Sequence, residues 1–199
     1  MYKIVGSPKT RAFRVLWTLE ELGLDYEIDP TGPHKEPIDT INPSGKIPAF
    51  YDGDEVIIDS VAISQYLADK HGALTFAAGT IERAQQDSFT QFAMDDVENA
   101  LWTAAKNSFI LPEDVRVPAI IDVCKMEFQK AMDVFEERLG ERKFVMGDAF
   151  TVADIFIVHC LNWARNSDFP TPDGTIAAYA DRVRARDGYQ RAWERREAT

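Results

Sequence analysis

Gly45-Lys46-Ile47-Pro48-Ala49-Phe50 is an unusual way for a chain to enter a β-sheet. Proline brings no N–H to a strand ladder and is confined to edges, bulges and the first residues of strands. Its place directly before Ala49-Phe50 therefore asks for a reason other than pairing. A cis Ile47-Pro48 bond supplies one. The chain then turns sharply and points the N–H and C=O of Ile47 outward, where an extended peptide can pair with them as an added strand. A tripeptide ligand suits an edge of that length.

Upstream of this stretch, Tyr2 to Gly6 reads as a short buried strand, and Ser7-Pro8-Lys9-Thr10 as a turn offering N-cap oxygens. A helix follows, with Ala12, Val15, Leu16, Leu19 and Leu22 at helical spacing, Glu20 and Glu21 toward water and Gly23 as its stop. Leu24 to Ile28 forms a second strand. Strand, helix and strand in so few residues make a βαβ unit, which implies a parallel pair with a right-handed crossover. Pro30 to Pro37 reads as a loop, with a short helix before Asn42. Downstream, Ala49 to Tyr51 and Val56 to Ile58 form a hairpin around Asp52-Gly53-Asp54, because Asp-Gly suits the positive φ of a tight turn. Asp59-Ser60 opens another helix, with Val61, Ile63, Tyr66 and Leu67 on its inner face. The order βαβ then ββα is that of a thioredoxin-like domain, set at residues 1–73. No Cys-x-x-Cys stands where the first strand meets the first helix, which disfavours a dithiol oxidoreductase.

Residues 74–80 break the pattern and read as a linker. Thr80 then N-caps a long helix, and 81–199 reads as an all-helical bundle domain with segments near 81 to 109, 115 to 139, 151 to 166, 174 to 186 and 188 to 196. Ile120, Cys124, Phe128, Ala131, Phe135 and Leu139 are all separated by three or four. At Phe150-Thr151-Val152-Ala153-Asp154-Ile155, Thr151 and Asp154 have capping-box spacing, and Phe150 and Ile155 occupy the staple positions.

The turn at Gly45 to Phe50, preceded by Asn42-Pro43-Ser44 and followed by Asp59-Ser60, resembles the glutathione-binding half of the glutathione S-transferase family. The capped helix at Thr151, preceded by Gly147-Asp148, resembles the buried capping motif of that family's helical domain. The two matches stand in the right order, and the resemblance covers essentially the whole chain. It implies a bacterial, cytosolic, serine/threonine-type transferase with glutathione as co-substrate, and an acceptor that is a small hydrophobic electrophile held in an apolar pocket between the domains. Thr10 matches the serine that acts on the glutathione sulfur, with Ser7 as the alternative. Ile47 and Pro48 pair with the peptide backbone. Ser60 receives the γ-glutamyl carboxylate at a helix N-terminus, and Asp59 meets the ammonium. Lys46, and His34 or Lys35, are candidates for the glycyl carboxylate. Phe89, Phe92, Met94, Trp102, Phe109 and Trp163 are available to the electrophile wall, and Asp95-Asp96 to a ligand ammonium across a dimer interface. The resemblance also implies a homodimer, and it leaves open two other activities: glutathione-dependent disulfide reduction, and a non-catalytic binding or scaffold role.

The totals are compatible with this. The chain has 199 residues, 45% of them hydrophobic, enough for one or two compact domains. A net charge of -11 argues against nucleic acid and anionic membrane as general partners, since phosphate binding needs clustered Lys and Arg. The start shows no cationic segment followed by an apolar run, so the expected location is cytoplasmic. Cys124 and Cys160 read as reduced core thiols, and His34, His71 and His159 lack ligand spacing, so no metal site is expected.

Overall fold

A computed structural model describes residues 1–199, and the chain divides into two compact units: Met1–Ala77 together with Arg184–Thr199, and Ala78–Val183. In chain order the elements are β1 (Tyr2–Val5), α1 (Ala12–Leu22), β2 (Tyr26–Asp29), α2 (Ile38–Ile41), β3 (Ala49–Asp52), β4 (Glu55–Ile58), α3 (Ser60–His71), α4 (Ile81–Phe92), α5 (Asn99–Ala105), α6 (Ile120–Leu139), α7 (Val152–Asn166), α8 (Gly174–Arg184) and α9 (Asp187–Glu197).

The first unit is a four-stranded sheet in the order β2-β1-β3-β4, with β1 parallel to β2 and antiparallel to β3, and β3 antiparallel to β4. This is the βαβ-ββα thioredoxin-like arrangement. Helix α1 buries Phe13, Val15, Leu16, Trp17 and Leu19, and ends where Gly23 takes φ 65° and returns its N–H to the carbonyls of Glu20 and Leu19. A left-handed residue there costs glycine nothing. In the hairpin, Asp52 pairs with Glu55, so the loop is Gly53-Asp54, with Gly53 at φ 64°. Asp52 thereby stays in the strand, where it accepts hydrogen bonds from Tyr66 Oη (2.6 Å) and Lys70 of α3.

The last helix, α9, packs on α1 and falls in the first compact unit. Tyr189 meets the rings of Trp17 at 4.9 Å and Phe13 at 5.8 Å, edge to face, and Trp193 meets Phe13 at 6.0 Å. Arg186 binds Glu21 with two donors at 2.9 and 2.7 Å, and Arg191 binds Glu20 at 2.9 Å. The arginine-rich terminal run is thus partly a set of ion pairs to α1.

In the second unit, Ile81 to Ile110 is helical throughout, but two π-helical turns, Ala93–Glu98 and Lys106–Ile110, interrupt the α-helical ladder. Thr80 Oγ1 accepts the Arg83 N–H at 3.2 Å and caps the start. The expected helix from 115 begins only at Ile120; Pro112 and Pro118 bracket a short 3₁₀ turn, Glu113–Val115. Residues Leu111 and Ser108 are tied to it through their carbonyls, which accept from Arg116 at 2.7 and 3.0 Å.

Helix α7 carries the capping box at Thr151 and Asp154. Asp154, fully buried, also accepts from Val145 N–H at 2.9 Å and Tyr179 Oη at 2.8 Å, so one carboxyl fastens a loop, a helix start and α8. Burial pushes its pKa up to about 6, against the opposing effect of these hydrogen bonds. Cys124 and Cys160 are both buried and not bridged. No helix is long and apolar enough to cross a membrane.

Candidate functional site

The residues singled out around Pro48 converge in the first unit. Gly6, just after β1, has φ 147°, and a Cβ there would lie 3.0 Å from Ile47 Cβ, 3.3 Å from Pro48 Cα and 3.3 Å from Ala12 Cβ. Only glycine fits that approach. It brings the turn before α1 against the Ile47-Pro48 bend, whose peptide bond is cis.

Residue Asn42, buried, shapes the bend from the other side: its Nδ2 donates to Lys46 O at 2.8 Å, while its Oδ1 accepts from Ser44 N at 3.1 Å and Ser44 Oγ at 3.0 Å. Between these anchors, the N–H and C=O of Ile47 make no hydrogen bond within the chain, while its side chain packs on the cluster of Val5, Ile38 and Ala49. An anchored side chain under an unpaired backbone step is what an added strand requires.

The Ser7–Thr10 turn places both hydroxyls at the entry to α1. Thr10 N–H bonds Ser7 O at 3.1 Å, closing the turn. Thr10 Oγ1 donates to the same Ser7 carbonyl at 2.7 Å and accepts the Ala12 N–H at 3.3 Å. Ser7 Oγ accepts a weak bond from Lys9 N at 3.4 Å. Both residues are half-buried.

Asp59 and Ser60 start α3. Asp59 takes φ 76° and its Oδ1 accepts from Val61 N (2.8 Å) and Ala62 N (3.1 Å), so one carboxylate oxygen is committed to the cap. Ser60 is buried, and its Oγ accepts from Arg14 Nη1 at 3.3 Å. One turn further along both helices, Thr18 Oγ1 donates to Ser64 Oγ at 3.0 Å. This polar seam fixes α3 to α1, and Arg14, itself 1% exposed, brings a guanidinium behind Ser60. Sequence reasoning missed Arg14. An arginine among the apolar positions of an amphipathic helix is the signal that could have found it.

His34 takes φ 55°, and its N–H bonds Gly45 O at 2.8 Å. Its ring lies so close to Gly45 that a Cβ there would fall 2.1 Å from Nδ1. The loop is thus pinned beside Lys46, whose side chain is exposed. Of the proposed wall residues, Phe89 and Phe92 are core, with Phe92 stacked on Phe135 at 6.2 Å and Arg138 over both Phe89 and Phe92. Phe109 is 67% exposed.

The site thus combines an unpaired backbone step at Ile47 with the hydroxyl-bearing Ser7–Thr10 turn on a thioredoxin-like unit. Comparison with known proteins gives the family. Residues 1–75 match the glutathione S-transferase N-terminal domain and residues 118–195 its C-terminal domain. Glutathione S-transferase 3 of Zea mays is 32% identical over 186 residues, which cover 88% of this chain and 83% of that protein. Glutathione S-transferase F7 of Arabidopsis thaliana is 31% identical, covering 81% and 82%. Among solved structures, a glutathione transferase of Methylococcus capsulatus superposes with a TM-score of 0.85 at 24% identity over all of both chains. Glutathione transferase URE2P6 of Phanerochaete chrysosporium, in complex with oxidized glutathione, gives 0.82 at 28% identity over 99% of this chain and 96% of that one. The chain belongs to the glutathione S-transferase family.

Proposed function

We propose that the protein is a glutathione transferase of the serine/threonine type, joining the glutathione sulfur to a small hydrophobic electrophile. The observation that carries the reading is the unpaired N–H and C=O of Ile47, anchored by Asn42 and Gly6 next to the Ser7–Thr10 turn. Glutathione lies along that edge as a short strand. Its γ-glutamyl carboxylate is received by Ser60 and the N-terminus of α3, with the Arg14 guanidinium adding positive potential behind it. Its ammonium is met by the Asp59 oxygen not used in the cap, and its glycyl carboxylate by Lys46 and His34.

At the sulfur, a thiol of pKa about 8.5 is only a few per cent thiolate at pH 7. Thr10 is the hydroxyl proposed to favour the anion. Its hydrogen bonds a neutral carbonyl in the free protein, and a bond to a charged acceptor is worth about 1.5–3 kcal/mol against 0.5–1.5 for a neutral one, so a thiolate wins the hydrogen over. Stabilised thiolate then attacks the electrophile, and holding the two reactants together supplies the rest of the acceleration.

The test is the pH dependence of conjugation with a panel of electrophiles and one disulfide. Thr10→Val is expected to raise the apparent thiol pKa by roughly one to two units with glutathione retention nearly unchanged. A shift in Ser7→Ala instead, with Thr10→Val unmoved, transfers the role to Ser7. Failure of the protein to be retained on immobilised glutathione, or to turn over any acceptor, overturns the reading.

A further inference from the structure

The turn that carries Ser7 and Thr10 is held from the end of β2 as well as from its own chain. In a strand, successive N–H groups point to opposite sides, so a neighbouring strand receives every second one. Gly6 and Ser7 are adjacent, yet both donate to the end of β2: Gly6 N to Asp29 O at 2.8 Å, and Ser7 N to Thr31 O at 3.1 Å. Gly6 at φ 147° gives the chain the rotation this needs. Pro30, between the two acceptors, has no N–H and a fixed φ. A side chain sets the Thr31 carbonyl beyond it. Asp29 Oδ1 accepts from Thr31 Oγ1 at 2.6 Å and from Thr31 N at 3.3 Å, closing a local ring across the proline, while Asp29 Oδ2 lies 3.5 Å from Lys3 Nζ of β1.

The contacts run in one line. They pass from the Asp29 carboxylate through Thr31 to the Ser7 N–H, and from the Ser7 carbonyl to Thr10, which donates to it with its N–H at 3.1 Å and its hydroxyl at 2.7 Å. Ser7 is therefore clamped on both sides, and any shift of its carbonyl carries the Thr10 hydroxyl along. The bond from Thr31 Oγ1, chiefly, with Lys3 beside it, holds the Asp29 carboxyl below the ordinary carboxylate value. At neutral pH the ring is thus closed on a charged acceptor, whose hydrogen bonds are about twice as strong as neutral ones.

We infer that Asp29 and Thr31 are positioning residues for the transferase reaction, acting through Ser7 on the place of the Thr10 hydroxyl. The inference rests on Thr10 as the hydroxyl that favours the thiolate, so its test has one readout that needs no glutathione. That readout is hydrogen exchange of the Ser7 amide in the free protein; the other is the pH dependence of conjugation. Asp29→Ala is expected to speed Ser7 exchange roughly tenfold. It should also raise the apparent thiol pKa by about half a unit to one unit, lowering kcat about three- to tenfold below that pKa, while KM for glutathione changes less than about twofold. Asp29→Asn, whose amide oxygen can still accept both donors, should restore most of each effect, and Thr31→Ser should behave as the natural protein does. In a Thr10→Val background, Asp29→Ala should add nothing to the pKa shift. Unfolding midpoints identify any variant that has lost its fold, and Thr31→Val, the milder change, should move both readouts in the same direction as Asp29→Ala. Unchanged Ser7 exchange in Asp29→Ala and Thr31→Val overturns the inference. So does faster exchange with the thiol pKa in place where Thr10→Val still moves it, which leaves the ring a purely structural device. If Thr10→Val itself leaves that pKa unmoved, the role of Thr10 fails and this one falls with it; the Ser7 exchange distinguishes that failure from a broken link between Asp29 and Ser7.

Discussion

Gly6 shows how much a single atom decides at this site. Alanine at this position has to adopt φ 147° and place its Cβ 3.0 Å from Ile47 Cβ, against a bend whose other side is held by Asn42. Gly6→Ala is therefore expected to cost about 2–4 kcal/mol in urea unfolding and to weaken glutathione retention, because relief of the clash moves Ile47. Full stability with undiminished retention would show that the approach is slack. Asp154 is the second such position. Its pKa in the folded protein, about 6, lies above the ordinary 3.8, so between these values the folded state binds more protons than the unfolded one, and stability falls as pH rises. The interval is worth about 3 kcal/mol, complete by pH 6. Asp154→Asn cannot titrate, so the stability of the natural protein relative to this variant should be greatest near pH 4 and decline toward pH 6. A constant difference across that range would mean that the four donors around the carboxyl compensate its burial. Asp154→Ala, which leaves Val145, Thr151 and Tyr179 without their acceptor, should be the most damaging at every pH.

At the scale of elements, the docking of α9 on α1 has one close fit. Gly188 lies against Glu21, whose Cδ would be 2.5 Å from an added Cβ, and Glu21 is held by two Arg186 donors with its side chain 4% exposed. Arg186→Met leaves that carboxylate largely buried beside an apolar chain. With the arginine itself about a third exposed, the expected loss is about 2 kcal/mol, less than for a fully buried pair, and Glu21→Gln in the same background should restore part of it. No recovery in the double variant would show that the loss comes from packing of the arginine stem. This contact also marks where the sequence stopped being legible. The hairpin, the Gly23 stop, the capping box of α7 and the turn at Pro48 are all written in a few adjacent residues, so local chemistry gives them. Arg186 and Glu21 stand 165 residues apart, and Arg14 and Ser60 46 apart, and no periodicity relates them. The π-helical turns were equally hidden, because the same apolar spacing suits a bond to the fourth or fifth residue back. At the candidate site, the sequence showed which residues carry hydroxyls and charges. It did not show that Thr10 donates to Ser7 or that Asp59 already spends one oxygen on its own helix, since both depend on rotamers.

For the molecule as a whole, the chain's order and its compact units do not coincide. Residues 184–199 are last in sequence yet belong with 1–77, so the thioredoxin-like unit is completed by the final helix. Trp17, fully buried, and Phe13, 3% exposed, owe part of their cover to Tyr189 and Trp193, and each large apolar side chain kept from water is worth about 1.5–3 kcal/mol. Helix α1 carries Arg14 and follows the Thr10 turn, so support lost from α9 reaches the elements proposed to bind glutathione. Removing 184–199 is therefore expected to raise hydrogen exchange through α1 and α3 by at least tenfold and to weaken glutathione retention, while α6 and α7, packed within the other unit, keep their protection. Because a shortened chain can fail to fold, Tyr189→Ala serves as the milder form: it takes one ring from the cluster and should shift exchange in α1 in the same direction. If α1 exchanges at its usual rate in both, the final helix is a passenger, and the first unit is complete without it.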